Sequence, residues 1–168
     1  MLNALYVFLI SMLPFIELRG AIPVGAALGL PFYWNYLIAV VANLMPVPFI
    51  LLFIPKILEF FKKFKVFRPI VEWLNKKAYN GSQKILKANE ETTDAGTNKK
   101  LAGIFLGLML FVAVPLPTTG AWTGSLVAAL FNFPKKTAFW AIALGVMICG
   151  VIMTLASYGV IGFLKIFL

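Results

Sequence analysis

Glu17 and Arg19 stand two residues apart in "LPFIELRGAIPVGAALGLP" (Leu13–Pro31), an otherwise apolar stretch punctuated by Pro14, Gly20 and Pro23. A carboxylate and a guanidinium at this spacing can hold each other, bind an ion or exchange a proton. On a helix, residues i and i+2 point to different faces, whereas across an irregular turn they reach the same side. A turn here would therefore let the pair meet or present both groups to one cavity. A second interruption, "PLPTTGAWTG" (Pro115–Gly124), carries Pro115, Pro117, Thr118, Thr119, Gly120, Trp122 and Thr123. The small pairs Gly20–Ala21 and Gly120–Ala121 predict the starts of two helices. Helix N-termini carry unpaired N–H groups and about half a positive charge, which suits an anion. Arg19 and the threonine hydroxyls add donors. Two occupants fit that description: a phosphate or carboxylate from outside, or Glu17 itself.

The rest of the chain explains why these two charges matter. Of 168 residues, 61% are hydrophobic and 12% charged, against about half and a quarter in a soluble domain. Mean hydropathy is +0.93, so the chain reads as an integral membrane protein. Five of the six acidic residues lie between Glu59 and Asp94, which leaves Glu17 as the one carboxylate in a membrane stretch. Arg19 is the one basic residue deep within such a stretch. Either costs about 2.5–3.5 kcal/mol near the centre of a spanning helix, and such residues are characteristically paired or functional. Burial and the Arg19 charge pull the proton affinity of Glu17 in opposite directions, and proton coupling through Glu17 is the hypothesis that follows.

Absences narrow the chemistry further. There is no His, one Cys and no cysteine spacing for a metal, so no metal site or cofactor is expected. No nucleophile–base pattern or phosphate-binding loop occurs, and the chain does not read as an enzyme. The net charge of +9 would raise nucleic acid as a partner in a soluble protein. Here eleven of the fifteen basic residues fall between Lys56 and Lys100, which reads instead as a cytoplasmic loop with affinity for anionic lipid headgroups. The N-terminus lacks a charged leader region and is not read as a cleaved signal.

Four apolar stretches position the charged pair: 4–30, 32–54, 101–133 and 137–164. The first and third are each broken in the middle, leaving runs of about half the 30 Å hydrocarbon thickness. Each broken stretch is either one kinked span or a re-entrant hairpin whose turn sits at mid-depth. Hairpins place Lys135 and Lys136 on the same side as the basic loop, gathering thirteen of fifteen basic residues there, and are the favoured reading. "RGAIPVGAALGLP" and "TGAWTGSLVAALFNFP" also resemble each other, each running from Gly-Ala to a proline before a long span. The expected fold is all-α and membrane-embedded, with two inverted repeats, each a re-entrant hairpin plus a transmembrane helix. Repeat one covers 1–54 and repeat two 101–168, joined by the basic segment 55–100. Apolar residues from Ile57 to Leu74 recur at helical spacing there, an amphipathic pattern suited to the headgroup plane or to packing on the protein. Residues 89–100 read as a polar linker. Asn43, in "NLMPVPF", needs a partner in lipid and is read as supporting, with Pro46 and Pro48 bending its span.

"PFIELRGAIPVG", "ANLMPVPFILLF", "PLPTTGAWTGSLVAAL" and "ALGVMICG" together resemble the putative small multidrug export family, small prokaryotic membrane proteins distantly related to DedA-type proteins. The resemblance covers both halves and skips the basic loop. It implies paired re-entrant hairpins, a multi-pass protein of the prokaryotic inner membrane, and transport. The family's acidic and arginine positions match Glu17 and Arg19, and its second turn matches Pro115–Gly120, with Thr118 where a glycine is expected. The DedA-type relatives imply proton-dependent handling of polyprenyl phosphate carriers, whereas the family label implies lipophilic cations. Arg19 and two helix N-termini favour an anionic amphipath. The alternatives are a cation exporter, a channel, or a non-transporting scaffold that recruits lipids through the basic loop. A chain this small encloses little by itself, which leaves room for a homodimer that the sequence does not establish.

Overall fold

A computed structural model describes residues 2–61, 96–116 and 119–167. The described residues form helices and no strands: α1 (Leu2–Met12), α2 (Glu17–Ala27), α3 (Phe32–Leu44), α4 (Pro46–Phe61), α5 (Gly96–Ala113), α6 (Ala121–Leu130) and α7 (Lys135–Phe167). The expected amphipathic pattern lies outside the described residues except for 57–61, as do Pro117 and Thr118; the expected linker 89–100 is described from residue 96 onward, where it is not a linker but the start of α5.

Proline sets most of the boundaries, because it lacks an N–H and clashes with the carbonyl four residues earlier. α1 stops two residues before Pro14, and α5 two residues before Pro115. Between α3 and α4, the Met45 N–H still reaches Val41 O at 3.2 Å, but Pro46 ends the ladder. Pro46 and Pro48 thus divide the second apolar stretch into two helices joined at Met45. Pro23 sits inside α2 and leaves the Arg19 carbonyl without its helical donor.

α2 and α6 end in the same way. After α2, Leu30 N–H bonds to Gly25 O and Gly29 N–H to Ala26 O; after α6, Phe133 N–H bonds to Ala128 O and Asn132 N–H to Ala129 O. This is the Schellman pattern, which requires a left-handed residue just past the helix. Gly29 has φ 75° and Asn132 has φ 53°, the two residue types that tolerate it best. Pro31 and Pro134 follow, each accepting the first bond of the next helix from Asn35 and Ala138. Every equivalent pair in these two turns is 103 positions apart, from Leu28/Phe131 to Pro31/Pro134.

Phe32–Ile57 and Lys135–Val160 are each 26 residues long, with mean hydropathies of 2.5 and 2.3, enough to cross a membrane. α1, α2 and α6, at 10 or 11 residues, are too short to cross 30 Å alone. α1 lies against α2, with Asn3 Nδ2 donating to Leu28 O at 3.1 Å, and both pack on α3. α5 and α6 likewise pack on α7. The halves then interlock, since α2 also packs on α7, α6 on α4, and α3 crosses α7.

Small residues fill part of the interior: Ala21, Ala39, Ala42, Ala121, Ala138 and Ala141 are all fully buried, beside Leu18, Ile22 and Ile142. Outward-facing positions carry Phe15 (96% exposed), Trp140, Phe49 and Leu155. Small residues between helices and large apolar ones outside are what lipid selects, because burying leucine against leucine gains little over burying it in acyl chains. The chain is a membrane protein.

Candidate functional site

Glu17 opens α2 with φ 53°, a left-handed conformation that strains a non-glycine residue by about 1–3 kcal/mol. The strained backbone turns the side chain out of its own helix and across to the other half. Glu17 is 6% exposed, and its Oε1 accepts the Trp122 N–H at 3.1 Å, with the Ala121 N–H alongside. These are the first amides of α6. The carboxylate therefore caps that N-terminus, a charge–dipole match that contributes up to about 2 kcal/mol when partly buried. Gly120 makes the approach possible, for a Cβ there would fall on the carboxylate of Glu17.

Arg19 crosses to the opposite end of the same break. Its guanidinium donates to Leu116 O, to Val114 O at 3.2 Å and to Thr119 Oγ1 at 2.9 Å. The Thr119 hydroxyl lies 2.9 Å from both Val114 O and Leu116 O and donates to one of them. Val114 and Leu116 lie one and three residues past the end of α5, where carbonyls have no helical donor, so a guanidinium fork is well matched to them. Glu17 and Arg19 thus do not close on each other as an ion pair, as a shared turn would allow. Each instead meets a helix end of opposite sign in the second half, with hydrogen bonds that a mutual pair would forgo.

Trp122 completes the exchange. Its indole Nε1–H donates to Met12 O at 3.2 Å, the last carbonyl of α1. Arg19 and Trp122 are themselves 103 positions apart, the spacing of the two helix-end turns. Equivalent residues therefore donate to the carbonyl end of the first helix in the opposite half. Cys149 of α7 faces the same centre, close enough to interact with both Arg19 and Glu17.

The other expected residues divide. Gly120 and Ala121 stand at the N-cap and first position of α6. Gly20 and Ala21 do not start a helix: α2 begins three residues earlier at Glu17, and Ala21 is fully buried in its second turn. The resemblance of the two Gly-Ala pairs therefore sets the halves against each other in the wrong register. Thr123 Oγ1 donates locally to Gly120 O at 3.4 Å. Pro115 follows the end of α5, and Pro23 lies inside α2 away from the break. Asn43 is fully buried, and among the described residues neither its Oδ1 nor its Nδ2 has a partner. Arg19 Nε is likewise buried and makes no geometric hydrogen bond among the described residues, with the Cys149 thiol nearby.

Sequence reasoning missed a second polar cluster. Asn35 is fully buried, donating to Ile22 O at 2.8 Å and to Tyr158 Oη at 3.1 Å, while Tyr158 donates to Leu30 O. Its signal was available, because an asparagine in an apolar run must find partners just as Asn43 must. Among the described residues no group of His, Cys, Asp or Glu could hold a metal.

Residues 17–152 match the family described as "Putative small multi-drug export protein". No curated protein and no solved structure matches the chain.

Proposed function

Because this chain belongs to the putative small multi-drug export protein family, we propose that it is a small membrane transporter whose working centre is the contact between its two helix breaks. The observation that carries this reading is the crossing of Glu17 and Arg19 from one half to the helix ends of the other. A contact that joins two halves through one ionisable carboxylate is a natural gate. With Glu17 charged, it holds the N-terminus of α6; with Glu17 protonated, the charge–dipole term is lost and the two breaks can part. Arg19 and Cys149 are the titratable groups facing it among the described residues. Proton movement would thereby be tied to opening.

The helix pairs α1–α2 and α5–α6 are read as re-entrant hairpins in inverted repeats, each followed by one span. Support comes from the lengths of α1, α2 and α6, from the short apolar part of α5 (Leu101–Ala113), and from the matching turns that end α2 and α6. The basic segment and Lys135 with Lys136 then lie together on the cytoplasmic side of a cell membrane. Cysteine labelling at Lys135 tests this: accessibility from the same side as Lys56 is expected, and opposite sides would replace hairpins by kinked spans.

The favoured substrate is an amphipath with an anionic group, lipid phosphates of the polyprenyl type among them. Glu17 neutralises the N-terminus of α6, but the N-terminus of α2 and the Arg19 guanidinium remain donors with positive character. Export of lipophilic cations is the second reading, carried by the family description. Reconstituted flux of a polyprenyl phosphate against a lipophilic cation, with and without a pH gradient, decides between them. Flux that tracks proton movement is expected in the native chain, with its proton dependence lost in Glu17→Gln; proton-dependent flux that survives in Glu17→Gln would sink the gate.

A further inference from the structure

We propose that the seam where α2, α3 and α7 meet, level with the break at Glu17, binds the anionic oxygen group of the substrate through Arg19 Nε, the Asn43 amide and the N-terminus of α2. This rests on the transporter reading and locates the substrate's headgroup within it.

The first observation is Asn43. Its amide is 0% exposed, with both polar atoms unpartnered among the described residues. A buried amide with no partner costs several kcal/mol in apolar surroundings, and native proteins rarely retain one without a use.

The packing register says where that amide faces. A Cβ built on Gly25 would meet the Asn35 side chain, so these two residues lie opposite each other on antiparallel α2 and α3. Eight residues on along α3 is Asn43, and eight back along α2 is Glu17, each displaced by about 12 Å. The bond from Ser11 Oγ to Ala39 O gives the same depth, since four residues further on α3 is Asn43 and four further on α1 is the turn at Phe15. Around the axis of α3, Asn43 lies roughly 80° from Asn35, with Tyr36 and Val40 at roughly 100° and 140°. Asn35 faces α2, while Tyr36 and Val40 pack on Gly150 of α7. Asn43 therefore faces the seam between α2 and α7, at the depth of the break at Glu17.

The second observation is an asymmetry between equivalent helix starts. The N-terminus of α6 is capped by the Glu17 carboxylate, whereas α2 has no side-chain cap. The Glu17 and Gly20 amides reach Leu13 O and Ile16 O, but among the described residues the amides of Leu18 and Arg19 between them have no such partner. The residue 103 positions after Glu17 is Gly120, which has no carboxylate to return. Buried Arg19 Nε adds a donor that, among the described residues, has only the Cys149 thiol nearby. Glu17 on α6 thus displays, within the protein, the kind of group that α2 lacks. A phosphate or carboxylate oxygen accepts from Nε–H, Nδ2–H and backbone N–H together, and Asn43 Oδ1 remains to accept the O–H of a protonated phosphate.

The test uses the full chain in phosphatidylcholine nanodiscs, titrated with dodecyl phosphate, inorganic phosphate and dodecyltrimethylammonium. Dodecyl phosphate is expected to bind and the cation to bind far more weakly. Asn43→Val, which puts at this position the residue found 103 places on at Val146, should weaken dodecyl phosphate roughly ten- to a hundredfold while leaving the melting temperature unchanged or higher. Asn43→Asp, which places a carboxylate in the seam, should abolish binding in a folded protein. Inorganic phosphate binding as tightly as dodecyl phosphate would keep the site but assign it to free phosphate. Unchanged affinity in either folded variant, equal affinity for the cation, or a melting temperature lowered by Asn43→Val would overturn it. A chain that binds dodecyl phosphate yet moves none across a bilayer loses the transporter reading and keeps this site. Wild-type flux in Asn43→Val does the reverse.

Discussion

The two helix breaks occupy equivalent places in the two halves, yet one gives and the other receives. The break after α1 supplies a carboxylate and a guanidinium. The break after α5 supplies the bare helix ends that these groups bind, and returns only an indole N–H. The same helix-end turn recurs 103 residues on, while the chemistry of the two breaks is divided. The lesson is that equivalent backbone positions need not carry equivalent side chains, provided each unsatisfied helix end finds a partner somewhere.

The comparison can be broken at several points, with unequal consequences. Arg19→Ala should do most damage. It strips charge-assisted bonds from Val114 O, Leu116 O and Thr119 at once and leaves Glu17 without a nearby cation, a loss of about 3–5 kcal/mol measured by denaturant unfolding in detergent. Gly120→Ala comes next. The added methyl displaces the Glu17 carboxylate from α6, so about 2 kcal/mol of stability and the proton dependence of flux should go together. If stability falls while proton dependence survives, the cap is structural and not the gate. Trp122→Phe removes a single neutral bond to Met12 O and should cost about 1 kcal/mol, well below its counterpart Arg19→Ala. Equal effects at these two positions would erase the division of labour argued above. Smallest is the exchange at the helix-end turns: Asn132→Gly should change the melting temperature little, whereas Gly29→Ala should lower stability by roughly 1 kcal/mol, because only the second forces a Cβ into a left-handed position.

Much of the scaffold was legible in the residues. Pro14, Pro115 and the Pro46–Pro48 pair mark helix ends through a covalent property, the missing N–H, that tertiary context cannot restore. Glycine or asparagine two residues before Pro31 and Pro134 announces the turns. The site was legible in identity but not in partnership. Glu17 and Arg19 stand out by their rarity in an apolar chain, but their partners are backbone groups about a hundred residues away, which have no side-chain signature. Helix starts were the weakest reading. Gly20–Ala21 looks like the twin of Gly120–Ala121, and the left-handed backbone at Glu17, where α2 begins, is a strained conformation held by packing. Fully buried Asn35 and Asn43 carried the same lipid-facing signal, and only packing separated the one that found partners from the one that did not.

The hydrogen bonds from Arg19 to Val114 and Leu116 span 95 and 97 positions of sequence, with a consequence for how the molecule is made. At ribosomal rates of about 5–20 residues per second, Arg19 is synthesised roughly 5–20 s before its acceptors exist. Glu17 waits equally long for Trp122. During that interval the first half must lodge two charges at the membrane with no helix end to receive them, at about 2.5–3.5 kcal/mol each if they enter its core. The nascent chain is therefore expected to hold its first break near the headgroups until the second emerges. Assembly of the charged centre would then be the last step of insertion, and the interval before it the one in which membrane quality control can read an unfinished protein.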